Sequence, residues 1–232
     1  PGDRLPRNLS LALGAAEVTP LELARAYAAF ANGGRLVEPH FIDRVVDNQG
    51  DGVYDASAPR VAEDDDAAPA ERGVSAENAW LMRSMLRDVV EEGTARAARE
   101  LGRDDIAGKT GTTNDQQDAW FSGFNGDLVT TVWVGFDERG TLGRYETGGR
   151  AALPIWMDFM GEALADRPPS QWPRPEGLVT VKIDPETGKR VPGDAADAVF
   201  ETFRTANLPE PSSGGVDSGG SSDDDAADQP LF

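Results

Sequence analysis

The chain contains no cysteine, which excludes disulfide frameworks, thiolate zinc sites, iron–sulfur clusters and cysteine nucleophiles. That absence leaves the compartment open, because such a chain is stable in either redox environment. Histidine occurs once, at His40 beside Pro39, and a lone His without a visible partner reads as a solvated or strand-edge residue. Positive charge is also scarce: 22 Lys and Arg stand against 41 Asp and Glu, a formal net charge of -19 over 232 residues. So acidic a surface repels phosphate backbones and argues against nucleic acid as a partner. No run approaches the roughly 18 apolar residues that a spanning helix needs. The opening, Pro1-Gly2-Asp3-Arg4-Leu5-Pro6, has neither an initiator Met nor an apolar leader and reads as the interior of a longer protein.

What is present fits a soluble globular chain of one large or two small domains, with 39% hydrophobic and 27% charged residues. Two stretches have little to bury. Residues 209–232, rich in Ser, Gly and Asp with the run Asp223-Asp224-Asp225, predict a disordered acidic tail, and Glu63-Asp64-Asp65-Asp66 predicts an exposed acidic loop over residues 61–73. There is no internal repeat.

Thr19-Pro20-Leu21-Glu22 has the form of a capping box with Pro at the first helical position. Leu23, Tyr27 and Phe30 then keep helical spacing until Asn32-Gly33-Gly34 stops the helix. A hairpin is predicted from His40 to Asp47 and Val53-Tyr54, and a longer helix from Ser75 to Gly93 with Trp80, Leu81, Met85, Leu86, Val89 and Val90 at helical intervals. From Ile106 the period changes to two. Strands are predicted at Ile106 to Thr113, Ala119 to Phe124 and Leu128 to Phe136, the last apolar on both faces. A helix opening at Pro154 presents Trp156, Phe159, Met160 and Ala163 to this meander. Val179 to Ile183 and Arg190-Val191 close a final hairpin about Asp184-Pro185-Glu186-Thr187-Gly188. The fold class is mixed α/β (α+β): an antiparallel sheet with helices on both faces.

Chemistry concentrates on the first strand of the meander, at Gly108-Lys109-Thr110-Gly111-Thr112-Thr113. Strand alternation sends Lys109 and Gly111 one way and Thr110 and Thr112 the other. Lys109 can polarise a hydroxyl and attract a carboxylate, Gly111 opens the backbone to close approach, and the Thr110, Thr112 and Thr113 hydroxyls can bind a carboxylate. The Thr112 amide can donate to a developing oxyanion, an interaction worth about 3 to 4 kcal/mol in acyl transfer. K-T-G is one of three motifs of penicillin-recognising serine acyltransferases, although the tripeptide alone arises by chance about once in twenty chains of this length.

The context makes the motif specific. Lys109 to Asp115, Asp118-Ala119-Trp120-Phe121-Ser122-Gly123 and Val132-Trp133-Val134-Gly135-Phe136-Asp137 closely resemble the class A, type 1A penicillin-binding proteins. So do Leu9 to Gly14 leading into Glu17 to Ala24, Val89 to Ala95, and Thr147-Gly148-Gly149 ahead of Pro154-Ile155-Trp156. The resemblance runs in order over about residues 1 to 205. It implies a penicillin-binding transpeptidase, serine β-lactamase-like fold in which a serine forms an acyl-enzyme with D-Ala-D-Ala stem peptides and passes the acyl group to a neighbouring amine. It also implies β-lactam binding, cell-wall synthesis partners, no cofactor, and an extracytoplasmic, periplasmic site behind an upstream membrane anchor and glycosyltransferase domain. Neither S-x-x-K nor S-x-N, which the family also needs, occurs in the chain. The resemblance therefore implies the C-terminal half of the domain over residues 1–165, a β-hairpin extension over 166–208, and a K-T-G wall without its nucleophile. Two alternatives stay open: a non-catalytic murein-binding relative and a β-lactamase-like hydrolase, the latter disfavoured because no compact deacylation loop with a catalytic Glu is visible.

Other polar and aromatic residues carry plainer readings. Asp118 follows the turn and reads as a hairpin-fixing group that bonds to backbone rather than a general base. Trp120, Phe121, Tyr27 and Trp80 read as core. Glu91-Glu92 point about 100° apart on a helix, too far apart to ligate one metal together.

Overall fold

The computed structural model describes residues 5–56 and 70–212. Backbone contacts divide the chain into two units, Pro1–Glu176 and Gly177–Phe232.

In the first unit, helix α1 (Pro20–Ala31) begins with the predicted capping box. The Thr19 hydroxyl accepts from the Glu22 amide at 3.2 Å, and the Glu22 carboxylate accepts from the Thr19 amide at 2.9 Å. Beyond α1, Gly34 has φ +101°, and a side chain there would meet the Val74 carbonyl at 2.0 Å. That close approach lets residues 70–74 pair with 34–36: Leu36 N–H donates to Glu71, and Gly73 and Val74 donate to Gly34. Residues 70–73, assigned to the exposed loop by composition, are thus held in place, and Ala70 is buried. The acidic run of that loop lies outside the described residues.

Strands β1 (Arg44–Val46) and β2 (Gly52–Asp55) form the predicted hairpin, with a shorter first strand than expected and a register shift at Val45/Val46. Helix α2 (Ala76–Glu91) is capped by Ser75, whose hydroxyl accepts from the Asn78 amide. Its buried face is Ala79, Arg83, Leu86 and Val90, while Met85 is exposed. Arg83 takes a core position because its guanidinium stacks 4.3 Å from the Trp172 ring, and burial lowers its pKa to about 10, which leaves it charged at neutral pH.

Strands β3 (Ala107–Thr112), β4 (Ala119–Phe124) and β5 (Val129–Val134) form an antiparallel meander in the order β3-β4-β5, within the spans the alternation predicts. Both faces are covered. On one, Phe121 meets Trp156 at 5.0 Å within a cluster that includes Val90, Ile106, Leu153, Met160 and Leu164. On the other, Ala107 and Phe124 pack with Ala31 and Leu86, with Tyr27, Phe30, Val129 and Trp172 at the margin. Helix α3 (Leu153–Ala163) follows one π-helical turn, Gly148–Ala152. Its sheet-facing residues are Leu153, Trp156 and Met160, with Leu164 just beyond, whereas Phe159, placed on that face by spacing, is half exposed.

Residues 166–176, counted with the extension from sequence, run along the first unit. Arg103 donates to the carbonyls of Leu164, Arg167 and Pro168, and the Ser170 amide donates to Asp105 at 2.7 Å. The second unit starts at Gly177. There β6 (Leu178–Ile183) pairs antiparallel with β7 (Val199–Arg204), from Leu178↔Arg204 to Ile183↔Val199. Arg190-Val191, the partner predicted from sequence, contributes only a bridge at Ile183 and one bond from Val191 N–H to Lys182. The Asp184 turn forms as expected: its carboxylate accepts from the Thr187 and Glu186 amides, and Gly188 has φ +68°. Residues 209–212, assigned to the disordered tail, are tied to Arg190, which bonds to Pro209, Glu210 and Ser212. The rest of that segment lies outside the described residues.

Candidate active site on the edge strand

Pairing in register puts Lys109 opposite Ser122 and Gly111 opposite Trp120, itself opposite Trp133. Lys109 and Gly111 therefore share a face with Ser122, Thr131 and the Trp120–Trp133 pair, whose ring centroids lie 6.1 Å apart. Thr110 and Thr112 occupy the opposite face, as alternation requires.

β3 is the end strand of the meander, so its outer edge is where a ligand backbone can pair. Thr113 N–H donates inward to Asp118, and alternation then turns the Thr112 N–H and C=O to the open edge. This is the orientation an oxyanion donor needs. Lys109 reaches the same edge, where its ammonium donates to the Thr110 carbonyl at 2.9 Å and the Thr110 hydroxyl at 3.3 Å. The Thr110 hydroxyl is also 2.8 Å from the Thr94 hydroxyl. Lys109 can only donate, so it fills one acceptor position on the Thr110 hydroxyl, and either threonine can donate in the Thr94–Thr110 bond.

The hydroxyls proposed to bind substrate thus also hold neighbouring elements. Thr112 Oγ1 accepts from the Gly148 amide at 3.0 Å, and its own hydrogen remains to be donated, to an anion for example. Thr113 Oγ1 accepts from the Asp118 amide at 2.8 Å and donates to its carboxylate at 3.4 Å. Asp118 does fix the hairpin, but its carboxylate reaches side chains rather than backbone, above all Trp133 Nε1 at 2.8 Å. Gly111 also has a role besides substrate approach, since a Cβ there would lie 3.1 Å from Trp120 Cβ.

Thr94 and Gly148 escaped sequence reasoning as site residues. A Cβ on Gly148 would sit 2.2 Å from the Trp120 carbonyl oxygen and 2.4 Å from that of Gly111, so only glycine lets the π-turn lie on the β3–β4 ladder. The signal was there in Gly93-Thr94 and Thr147-Gly148-Gly149, but spacing gives no hint that they meet the K-T-G strand. His40 does have a partner, Asp43, at 2.7 Å. Glu91 forms surface ion pairs with Arg87 and Arg99.

The penicillin binding protein transpeptidase domain matches residues 5–160, which include the whole meander and its two supporting turns. The chain belongs to this transpeptidase family. It is 43% identical to penicillin-binding protein 1A of Pseudomonas aeruginosa over 247 aligned residues, covering 89% of this chain and 30% of that protein. Against penicillin-binding protein 1A of Neisseria lactamica it is 47% identical, over 75% of this chain and 21% of the relative. The crystal structure of penicillin-binding protein 1A from Haemophilus influenzae has a TM-score of 0.80 at 36% identity, covering 89% of this chain and 35% of that one. The chain thus spans between about a fifth and about a third of the length of these penicillin-binding proteins.

Proposed function

We propose that this chain forms the K-T-G wall of a peptidoglycan D,D-transpeptidase cleft, within a larger protein that also supplies the serine nucleophile. The open edge of β3 carries this reading, because it presents the Lys109 ammonium, the Thr112 hydroxyl and the outward Thr112 amide together. The terminal carboxylate of a D-Ala-D-Ala stem would lie against Lys109 and the Thr110 and Thr112 hydroxyls, with Thr113 closing the far end. Its scissile carbonyl would then accept from the Thr112 amide, and the backbone at Gly111 would pass close to it. The serine oxygen attacks that carbonyl, the peptide C–N bond breaks, and the proton lost by the serine hydroxyl passes to the nitrogen, so that the terminal D-Ala leaves as a free amine. An amine of a neighbouring stem then attacks the ester, forms the cross-link and returns the serine. The reaction calls for no cofactor. β-Lactams would enter as mimics of the dipeptide. The site would face the periplasm, with anchor and glycosyltransferase supplied by other parts of the protein and cell-wall synthesis proteins as its partners. Among the described residues, no helix is long and apolar enough to cross a membrane.

Labelling with fluorescent penicillin tests this reading. The whole protein should form a stoichiometric covalent adduct that D-Ala-D-Ala peptides compete away, and the 232-residue chain alone should stay unlabelled because it contains no S-x-x-K serine. Stoichiometric labelling of the chain alone would place the nucleophile within it. An unlabelled whole protein would make the chain part of a non-catalytic murein-binding relative.

A further inference from the structure

Among the described residues, three non-glycine residues adopt positive φ: Asp115 (60°), Gln116 (49°) and Tyr145 (73°). All three lie in two loops just past the K-T-G strand, the β3–β4 turn and the segment after β5. The loops are tied together and to β3, since Leu142 N–H donates to Gln116 at 2.8 Å and Gly148 N–H donates to Thr112 at 3.0 Å. Left-handed backbone is unfavourable for a bulky aromatic and persists only where the surroundings enforce it. The enforced result is an exposed Tyr145, 58% accessible, with the Arg144 guanidinium 4.8 Å from its ring centroid. In a chain with nearly twice as many acidic as basic residues, no ion pair among the described residues includes Arg144. A guanidinium held over a ring keeps N–H groups that can meet a carboxylate in bidentate fashion.

The direction of the bound peptide follows from the proposed cleft, on which this inference rests. With the terminal carboxylate at Lys109 and the acyl carbonyl at the Thr112 amide, the rest of the stem continues past Thr112 toward the two tied loops. We propose that Arg144, positioned by Tyr145, is a specificity residue that recognises a second carboxylate, carried by the donor stem peptide upstream of its D-Ala-D-Ala terminus.

The test compares kcat/KM of the whole protein for two D-Ala-D-Ala peptides, one with a free side-chain carboxylate on an upstream residue and one with that group as the carboxamide. The native protein should prefer the carboxylate peptide by about tenfold or more, the scale of one charge-assisted bidentate contact. Arg144→Gln should bring the ratio close to one, and Arg144→Lys, which keeps charge without the planar fork, should fall between. Tyr145→Asn, which tolerates left-handed backbone but lacks the ring, should also lower the ratio. A native protein that turns over both peptides equally overturns the inference without any variant, as does an Arg144→Gln ratio equal to the native one. If Lys109→Ala leaves turnover of both peptides intact, the cleft reading has failed instead, and the two failures are distinguishable.

Discussion

Gly148 is the residue on which the geometry around β3 presses hardest. A methyl group there would overlap two carbonyl oxygens at 2.2 and 2.4 Å, both of them backbone and unable to rotate aside. Gly148→Ala should therefore destabilise the chain by about 3 kcal/mol or more, at the upper end for overpacking. Gly111→Ala, which meets the Trp120 Cβ at 3.1 Å, should cost about 1 kcal/mol, and denaturant titrations of the two variants check the order. Equal costs would mean that the π-turn is not seated on the ladder as described. Asp105 offers a second test at this scale. It is 2% exposed, pairs with Arg103 at 2.7 Å, and accepts from Asn125 and the Ser170 amide. Burial pushes its pKa up, but the bonds from Arg103, Ser170 and Asn125 outweigh burial and hold it below the ordinary 3.8. A depressed folded pKa stabilises the fold above the unfolded value, and this contribution is lost as pH falls through the folded one. Asp105→Ala should cost about 2 to 3 kcal/mol at pH 7, because it removes the shared acceptor of Arg103, Asn125 and the Ser170 amide. The difference from the native chain should shrink as the pH falls below the ordinary 3.8 toward the lowered folded value, and a pH-independent difference would contradict this account.

At the scale of elements, the meander and the helices were legible because local rules and tertiary packing agree there. Thr19 and Ser75 cap their helices as their residue types predict, and the alternation from Ile106 to Phe136 has a single register that buries both faces. What the sequence did not disclose is long-range choice. Arg190-Val191 was the nearest apolar segment after the Asp184 turn, yet β6 pairs over six residues with Val199–Arg204. A full ladder outweighs the shorter loop, since closing a longer loop adds little entropy cost. Residue type hid the core position of Arg83, which a cation can occupy when an aromatic face receives it, and helical spacing alone placed Phe159 on the sheet face although it lies half exposed at the margin of the buried stripe. Within the candidate site, K-T-G and its alternation could be read directly. The contacts of Thr94 and Gly148 with Thr110 and Thr112 join positions 16 and 36 residues apart, which periodicity does not encode.

For the whole molecule, a net charge of -19 sets the response to salt. The carboxylates are spread along the chain as well as concentrated in acidic runs, so self-repulsion opposes the compact state, and screening should relieve it. The melting temperature should rise between low salt and about 1 M, where the Debye length is roughly 3 Å. A flat or falling melting temperature would count against the reading of the acidity as an adaptation to a salty milieu. The central claim is that Lys109 stands at the open edge of β3 as part of an acylation site, and the rate constant for covalent labelling of the whole protein by fluorescent penicillin tests it most directly. Lys109→Ala should lower that rate constant at least about a hundredfold, the usual scale for loss of a positioned electrostatic or proton-transfer group. Labelling of Lys109→Ala at the native rate would contradict the account.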